Sequence, residues 1–196
     1  MKIITLGTSH GDSTVSRFNS STLYETNGVL YLVDAGAPVE ALIKRQGLSC
    51  TNIRAAFVTH MHDDHAGGLT GLLKQIIKYG ENRKYQFSLF LPEEKAIVAL
   101  KSWFSALHEE ADSHLVEYGA VSDGLVYEDE NLRARAIRTA HLRTFGRTKG
   151  APCSFAYVLD FKKEGKTILH SGDLKSDFSD FPVVATEKLY LLQSER

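Results

Sequence analysis

The sequence predicts a mixed α/β (α+β) fold in which two β-sheets form the core and helices cover them. Three observations carry that prediction. Short apolar runs of strand composition outnumber helical segments. They are interspersed with helices in mixed order, without a regular βα repeat. Tight polar turns join several of them directly into hairpins. A chain of 196 residues is long enough for one domain, spanning 1–196, with a sizeable core.

The elements follow in order. Lys2 to Leu6 alternates as a strand. Ser21 to Glu25 and Val29 to Val33 flank Thr26-Asn27-Gly28, and an Asn-Gly pair between two apolar runs marks a hairpin. Pro38 to Gln46 opens on a helix-starting proline and closes before Gly47, so a helix follows the hairpin. Arg54 to Thr59 is a compact buried strand. Gly71 to Tyr79 and Glu93 to Leu107 carry apolar residues at helical spacing, with a strand, Tyr85 to Leu91, between them. Strands are then expected at Leu125 to Glu128, Leu132 to Ile137, Ser154 to Phe161 and Thr167 to Ser171. The last two are joined by the polar turn Lys162 to Lys166. A final strand is expected at Lys188 to Leu192.

Composition narrows the class of function. The hydrophobic fraction of 43%, the charged fraction of 24% and the net charge of −1 are those of an ordinary globular protein, with no broad electrostatic footprint for nucleic acid. The two cysteines, Cys50 and Cys153, are too few and too far apart for a disulfide scaffold or thiolate metal site, so both are expected as free thiols. The opening MKIITLGTSHGD lacks the apolar run of a signal peptide, and no stretch approaches the length of a membrane helix. The expectation is a cytoplasmic protein with no membrane partner.

The chemistry is concentrated in VTHMHDDHAGGL, residues 58–69, where His60, His62, Asp63, Asp64 and His65 follow the end of a strand. His60 and His62, two apart, are spaced so that an extended segment presents both imidazoles to one ion. Asp64 and His65 are adjacent, so their side chains should diverge and serve a second ion beside the first. Gly67-Gly68 should let the backbone turn sharply before the next helix. Packing so many polar groups without a metal would leave most of them unsatisfied. Asp63 reads as a solvated acid, since unpaired acids are mostly exposed.

The string Thr59-His60-Met61-His62-Asp63-Asp64-His65 resembles the T-H-x-H-x-D-H motif of the metallo-β-lactamase fold hydrolases. Matching pieces follow along the chain. Asp34 in LVDAG corresponds to the first-motif aspartate that braces the histidine loop, His141 in RTAHL to the third-motif histidine, and Asp173 in HSGDL to the metal-bridging aspartate. The resemblance implies a four-layer αββα sandwich. It implies one divalent ion on His60, His62 and His141, a second on Asp64 and His65, and Asp173 between them. A hydroxide shared by the two ions would be the nucleophile, with Asp64 as the catalytic residue that orients it or takes its proton. Imidazole-rich ligation favours zinc; manganese and iron are also compatible.

Substrate class rests on other residues. Gly7-Thr8-Ser9 and Arg17-Phe18-Asn19-Ser20-Ser21 resemble the opening pattern of the phosphodiesterase branch, which includes ribonuclease Z and the phosphodiesterase associated with carbon-phosphorus lyase. Ser9 is a candidate substrate contact. The chain around His141 is basic, with Arg133, Arg135, Arg138, Arg143, Arg147 and Lys149; Arg143 is the candidate contact to an anionic phosphodiester. Arg133 and Arg135 alternate with small residues and fit a solvent-facing strand side. His108 and His114 lie in the acidic loop LHEEADSH, and His114 is a candidate leaving-group acid. His10 and His170 flank motif positions without an assignable role.

Three functions compete on this sequence: a metal-dependent phosphodiesterase acting on a nucleotide, a cyclic nucleotide or an RNA end; a thioester or lactam hydrolase of the same fold; and a non-catalytic metal-binding relative. The first is preferred, with a small phosphodiester substrate, since no Gly/Pro-rich basic arm for transfer RNA is evident; RNA and a homo-oligomer stay open. No histidine follows His170, so the fifth-motif histidine of the resembled family has no counterpart. The expectation is a chain lacking the family's C-terminal strand and helix, with the missing histidine reflecting truncation, loss, or supply by another chain.

Overall fold

The computed structural model describes residues 1–9, 11–12, 14–144, 153–175, 179 and 189–192, without the side chains of 143–144 and 189–192. It divides into two compact units, Met1–Ala120 and Val121–Arg196.

The first unit is built on a six-stranded sheet. Strand β1 (Lys2–Gly7) pairs antiparallel with β2 (Ser21–Thr26), which turns through Asn27 and Gly28, both at positive φ, into β3 (Val29–Val33). These left-handed conformations are what an Asn-Gly hairpin turn requires. Helix α1 (Val39–Arg45) follows, then a short 3-10 turn at Cys50–Asn52 and β4 (Ile53–Phe57). The histidine segment contains a four-residue helix, α2 (Asp63–Ala66), before α3 (Leu69–Tyr79), β5 (Phe87–Leu91), α4 (Glu94–Ala106) and β6 (Val116–Ala120). The spatial order is β1-β2-β3-β4-β5-β6, and β3 to β6 run parallel.

This sheet is buried on both faces, which is why β3 reads as a continuous apolar run. One face carries Leu23, Leu32, Ala56 and Leu89 into a cluster with Leu69, Leu72, Leu73 and Ile76 of α3 and Ile97, Leu100 and Phe104 of α4. The other presents the fully buried Tyr24, Tyr31 and Phe57, the last stacked on Phe90 with ring centroids 5.4 Å apart.

The second unit holds a five-stranded sheet in the order β11-β10-β9-β8-β7: β7 (Gly124–Glu128), β8 (Leu132–Thr139), β9 (Ser154–Phe161), β10 (Lys166–His170) and β11 (Leu189–Leu192). Neighbours are antiparallel except β10 and β11. Ala156, Val158 and Leu169 form a small apolar cluster with Ile137 against it. Arg133 and Arg135 occupy alternating positions of β8 and pair with Glu128 at 3.0 Å and Asp160 at 3.2 Å, the strand-side role expected of them.

Every strand and helix expected from the sequence is present within a few residues. Two elements were not expected: the four-residue helix α2, too short to show helical periodicity, and β6, whose VEYGA is short, carries a charge and is partly exposed, so it lacks the apolar pattern of its neighbours. No described helix is long and apolar enough to cross a membrane.

Candidate metal centre

Strand β4 ends at Phe57, and the chain that leaves its C-terminal end carries Thr59, His60 and His62 before entering α2. His60 and His65 are fully buried and Asp64 nearly so. The rings of His60 and His62 meet edge-on with centroids 4.6 Å apart, and those of His60 and His65 lie 4.1 Å apart.

Hydrogen bonding determines which nitrogen each ring presents. Asp34 stands just past β3, buried and at φ +59. Its carboxylate accepts from the Thr59 N–H at 2.7 Å and from the Thr59 hydroxyl at 3.0 Å, and it lies 2.7 Å from His65 Nδ1. A carboxylate offers only acceptors, so His65 donates from Nδ1 and carries its lone pair on Nε2. The Thr59 hydroxyl, its proton directed to Asp34, accepts from His60 Nδ1 at 3.1 Å, which leaves the His60 lone pair on Nε2 as well. Burial, and secondarily the Asp34 charge, push the Tyr24 phenol well above its ordinary value.

These Nε2 atoms lie close to further ligand-type atoms. His60 Nε2 lies 3.0 Å from His62 Nδ1, close to the roughly 3.3 Å that two nitrogens subtend on one tetrahedral zinc ion. His65 Nε2 lies 3.6 Å from Asp64 Oδ2. Adjacency in sequence suggested that these two side chains diverge. They converge because Asp64 and His65 sit on a helical turn, where neighbours are offset by about 100°, and not on a strand, where they alternate by about 180°. Oriented neutral imidazoles beside a carboxylate are the donor set of a divalent cation, so the residues fit such an ion.

Glycines set how closely the loops approach. Neither Gly67 nor Gly68 turns the chain sharply; both have ordinary helical torsions. Gly68 is required by proximity, since a Cβ there would stand 2.7 Å from the Ala35 carbonyl oxygen. A Cβ on Gly36 would meet the Asp64 carbonyl at 2.2 Å. Between them, Ala35 donates to the His65 carbonyl and accepts from Gly68, both at 2.7 Å, so the Asp34 loop and the histidine loop are laced together by backbone.

The remaining candidates are placed as follows. In the second unit, His141 Nε2 lies 3.8 Å from Asp173 Oδ2. His170 is buried at the end of β10. Ser9 is buried, its hydroxyl donating to the Asp12 carbonyl at 2.8 Å. His114 is exposed, 3.8 Å from Glu81 Oε2, and His108 is exposed at φ +58. Asp63 is exposed, as its solvated reading required. Arg138 Nη2 lies 2.9 Å from Cys153 Sγ. His10, Arg147, Lys149 and the Arg143 side chain lie outside the described residues. Thr59 was not singled out from sequence; its only signal was its place at the head of the histidine motif.

Comparison with known proteins extends this picture. Ribonuclease Z of Pseudomonas putida (strain GB-1) is 34% identical over 146 residues, 72% of this chain and 44% of the relative. The chain spans about half the length of the curated relatives it matches. Among solved structures, human tRNase Z, short form, aligns with a TM-score of 0.69 and 22% identity, over 91% of this chain and 72% of that one. The metallo-β-lactamase fold protein YhfI of Bacillus subtilis aligns with a TM-score of 0.64 and 14% identity, over 90% and 64%. The fold is therefore that of the metallo-β-lactamases, on the ribonuclease Z-like branch. Within that fold the sequence matches the family described as Anti-Pycsar protein Apyc1 over residues 1–193, and the chain belongs to that family.

Proposed function

We propose that the chain is a single metal-dependent hydrolase domain of phosphodiesterase type, acting on a small nucleotide or an RNA-end phosphodiester. The observation that carries the metal-dependent part is the buried Asp34–Thr59–His60–His65 hydrogen-bond network, which aims imidazole lone pairs away from the bracing carboxylate. The likeness to ribonuclease Z supports a phosphodiester substrate.

In this reading His60, His62 and His141 would hold one divalent ion, Asp64 and His65 would hold a second, and Asp173 would serve both. Zinc is the first choice, because the donors are mostly imidazole. When bound, such ions supply Lewis acidity and lower the pKa of water from about 15.7 toward 7. The protein does the rest. Asp34 holds His65 in the tautomer with its lone pair on Nε2, and Thr59 does the same for His60. Asp64 orients the attacking water or takes its proton at a carboxylate oxygen. Arg143 and Ser9 are assigned to the substrate, Arg143 meeting the anionic diester; His114, just before β6 and beside Gln86, stands at the end of the sheet remote from the histidines and is not assigned a part in the reaction.

Elemental analysis of protein purified without added metal, with hydrolysis assays on bis(4-nitrophenyl) phosphate and a thioester, tests the reading. The wild-type chain cleaves the phosphodiester, and His62→Ala and Asp64→Ala each abolish that activity with the circular dichroism spectrum unchanged. A fully metal-loaded wild type that cleaves only thioesters or lactams overturns the assignment.

A further inference from the structure

A cleft of about 430 Å³ opens in the first unit at the end of the sheet remote from the histidines. Its walls come from the Asn27-Gly28 hairpin turn, from Asn52 just before β4, and from the α3–β5 connection with Tyr79, Asn82, Arg83 and Lys84. Because β3, β4 and β5 run parallel, this end holds their first residues, whereas the histidines follow the last residues of β4. The five residues of β4 separate the two places by roughly 16 Å. A site here is distinct from the metal centre and independent of the function proposed for it.

The lining has one sign of charge. Arg83 and Lys84 are among its lining residues, none of which is acidic. The Arg83 guanidinium is under-paired: Nη2 donates to the Ile53 carbonyl, while Nε and Nη1 are buried and have no acceptor among the described residues. It lies over the Phe87 ring at 5.6 Å. Desolvation lowers its pKa to about 10, so it stays charged at neutral pH while poorly compensated. Turning about its side-chain torsions toward the cleft would exchange one carbonyl bond for charge-assisted bonds to an anion, which are stronger. Asn27, Asn52 and Asn82 add amide donors and acceptors, and the Tyr79 ring, 60% exposed, offers a flat apolar face. The volume falls in the range of about 300–1,000 Å³ typical of small-ligand sites.

We propose that this cleft binds a small phosphate-bearing anion of mononucleotide size, its phosphate on Arg83 and Lys84 and its base against Tyr79. The test is calorimetric titration of the full chain, both metal-free in EDTA and zinc-loaded, with adenosine monophosphate and with inorganic pyrophosphate. Adenosine monophosphate should bind once per chain in metal-free wild type and equally in His62→Ala. Arg83→Met and Lys84→Ala should each weaken it about tenfold or more, and Tyr79→Ala should weaken adenosine monophosphate but not pyrophosphate. Lys84→Ala guards against a folding defect in Arg83→Met, because Lys84 is exposed. Absence of saturable binding to metal-free protein, loss of binding in His62→Ala, or indifference to Lys84→Ala or to Tyr79→Ala overturns the proposal. Retention of a transfer-RNA-length RNA without binding of either small anion also overturns it, in favour of a nucleic-acid surface.

Discussion

Replacing Asp34 separates what holds the centre together from what orients it. Asp34→Ala strips the acceptor from three buried donors: the Thr59 N–H, the Thr59 hydroxyl and His65 Nδ1. Leaving one buried donor unsatisfied costs about 1–3 kcal/mol. Three would cost roughly 3–9 kcal/mol if independent, but they share one carboxylate and are not additive, and removing a desolvated charge offsets part of the loss. Asp34 also sits at φ +59, a conformation aspartate tolerates better than alanine, which adds about 1 kcal/mol. A net destabilisation of roughly 3–5 kcal/mol is expected, a large share of a typical domain stability of about 5–15 kcal/mol. Asp34→Asn is the sharper probe. It keeps the backbone conformation and one acceptor for Thr59, but it turns an amide donor toward His65 Nδ1. The imidazole then carries its proton on Nε2, the nitrogen 3.6 Å from Asp64, and can no longer offer a lone pair there. Stability should fall by only about 1–2 kcal/mol, while zinc affinity falls about 10- to 100-fold. Urea unfolding of the metal-free variants, followed by circular dichroism, and zinc titration calorimetry measure the two effects. Zinc affinity in Asp34→Asn within about twofold of wild type, or a loss below about 1 kcal/mol in Asp34→Ala, refutes the orientation argument.

Gly36→Ala places a Cβ 2.2 Å from the Asp64 carbonyl and 2.6 Å from Asn19 Cβ, so the loops must separate; a loss of roughly 1–3 kcal/mol with reduced metal content is expected, and a variant as stable and as metal-rich as wild type counts against it. Burial pushes the Cys50 thiol up to about 11. Because the folded state then holds the proton more tightly, this contribution to stability is full below the unfolded pKa of about 8.5 and fades as pH rises toward 11. In native protein at pH 8, Ellman's reagent should label the half-exposed Cys153 first and reach Cys50 only on unfolding; equal labelling rates would contradict this. In the proposed two-ion reading, the residues named for the second ion are Asp64, His65 and Asp173, and those for the first are His60, His62, His141 and Asp173. Zinc calorimetry should therefore show one tight and one weaker event; two equivalent tight sites remove the asymmetry, and a histidine donated by a second copy of the chain would explain such a result.

Local pattern made most of this protein legible from sequence. Strand alternation, the Asn-Gly turn and helical apolar spacing depend on contacts between residues near in sequence, so β1 to β5, α1, α3 and α4 could be read directly. The cluster from His60 to His65 was legible for the same reason, because its donors lie within six residues of one another. What the tertiary structure decided lies across longer separations. Asp34 meets His65 across 31 positions, and that contact selects the nitrogen His65 presents. Thr59 became the hub of the network only when β3 and β4 paired in parallel and brought Asp34 beside it. Gly68 owes its small size to the Ala35 carbonyl and not to a turn, which a torsion-based reading of Gly-Gly could not distinguish. Edge strand β6, marked by pairing with β5 and not by its own composition, was invisible until its partner was in place. The under-paired Arg83 belongs with these, since a lone arginine in NRKY carries no sign of burial until strand β4 brings the Ile53 carbonyl to it. Periodicity reports which face of an element is apolar; only packing assigns each polar atom its partner, because hydrogen-bond geometry is set by distance in space and not by spacing along the chain.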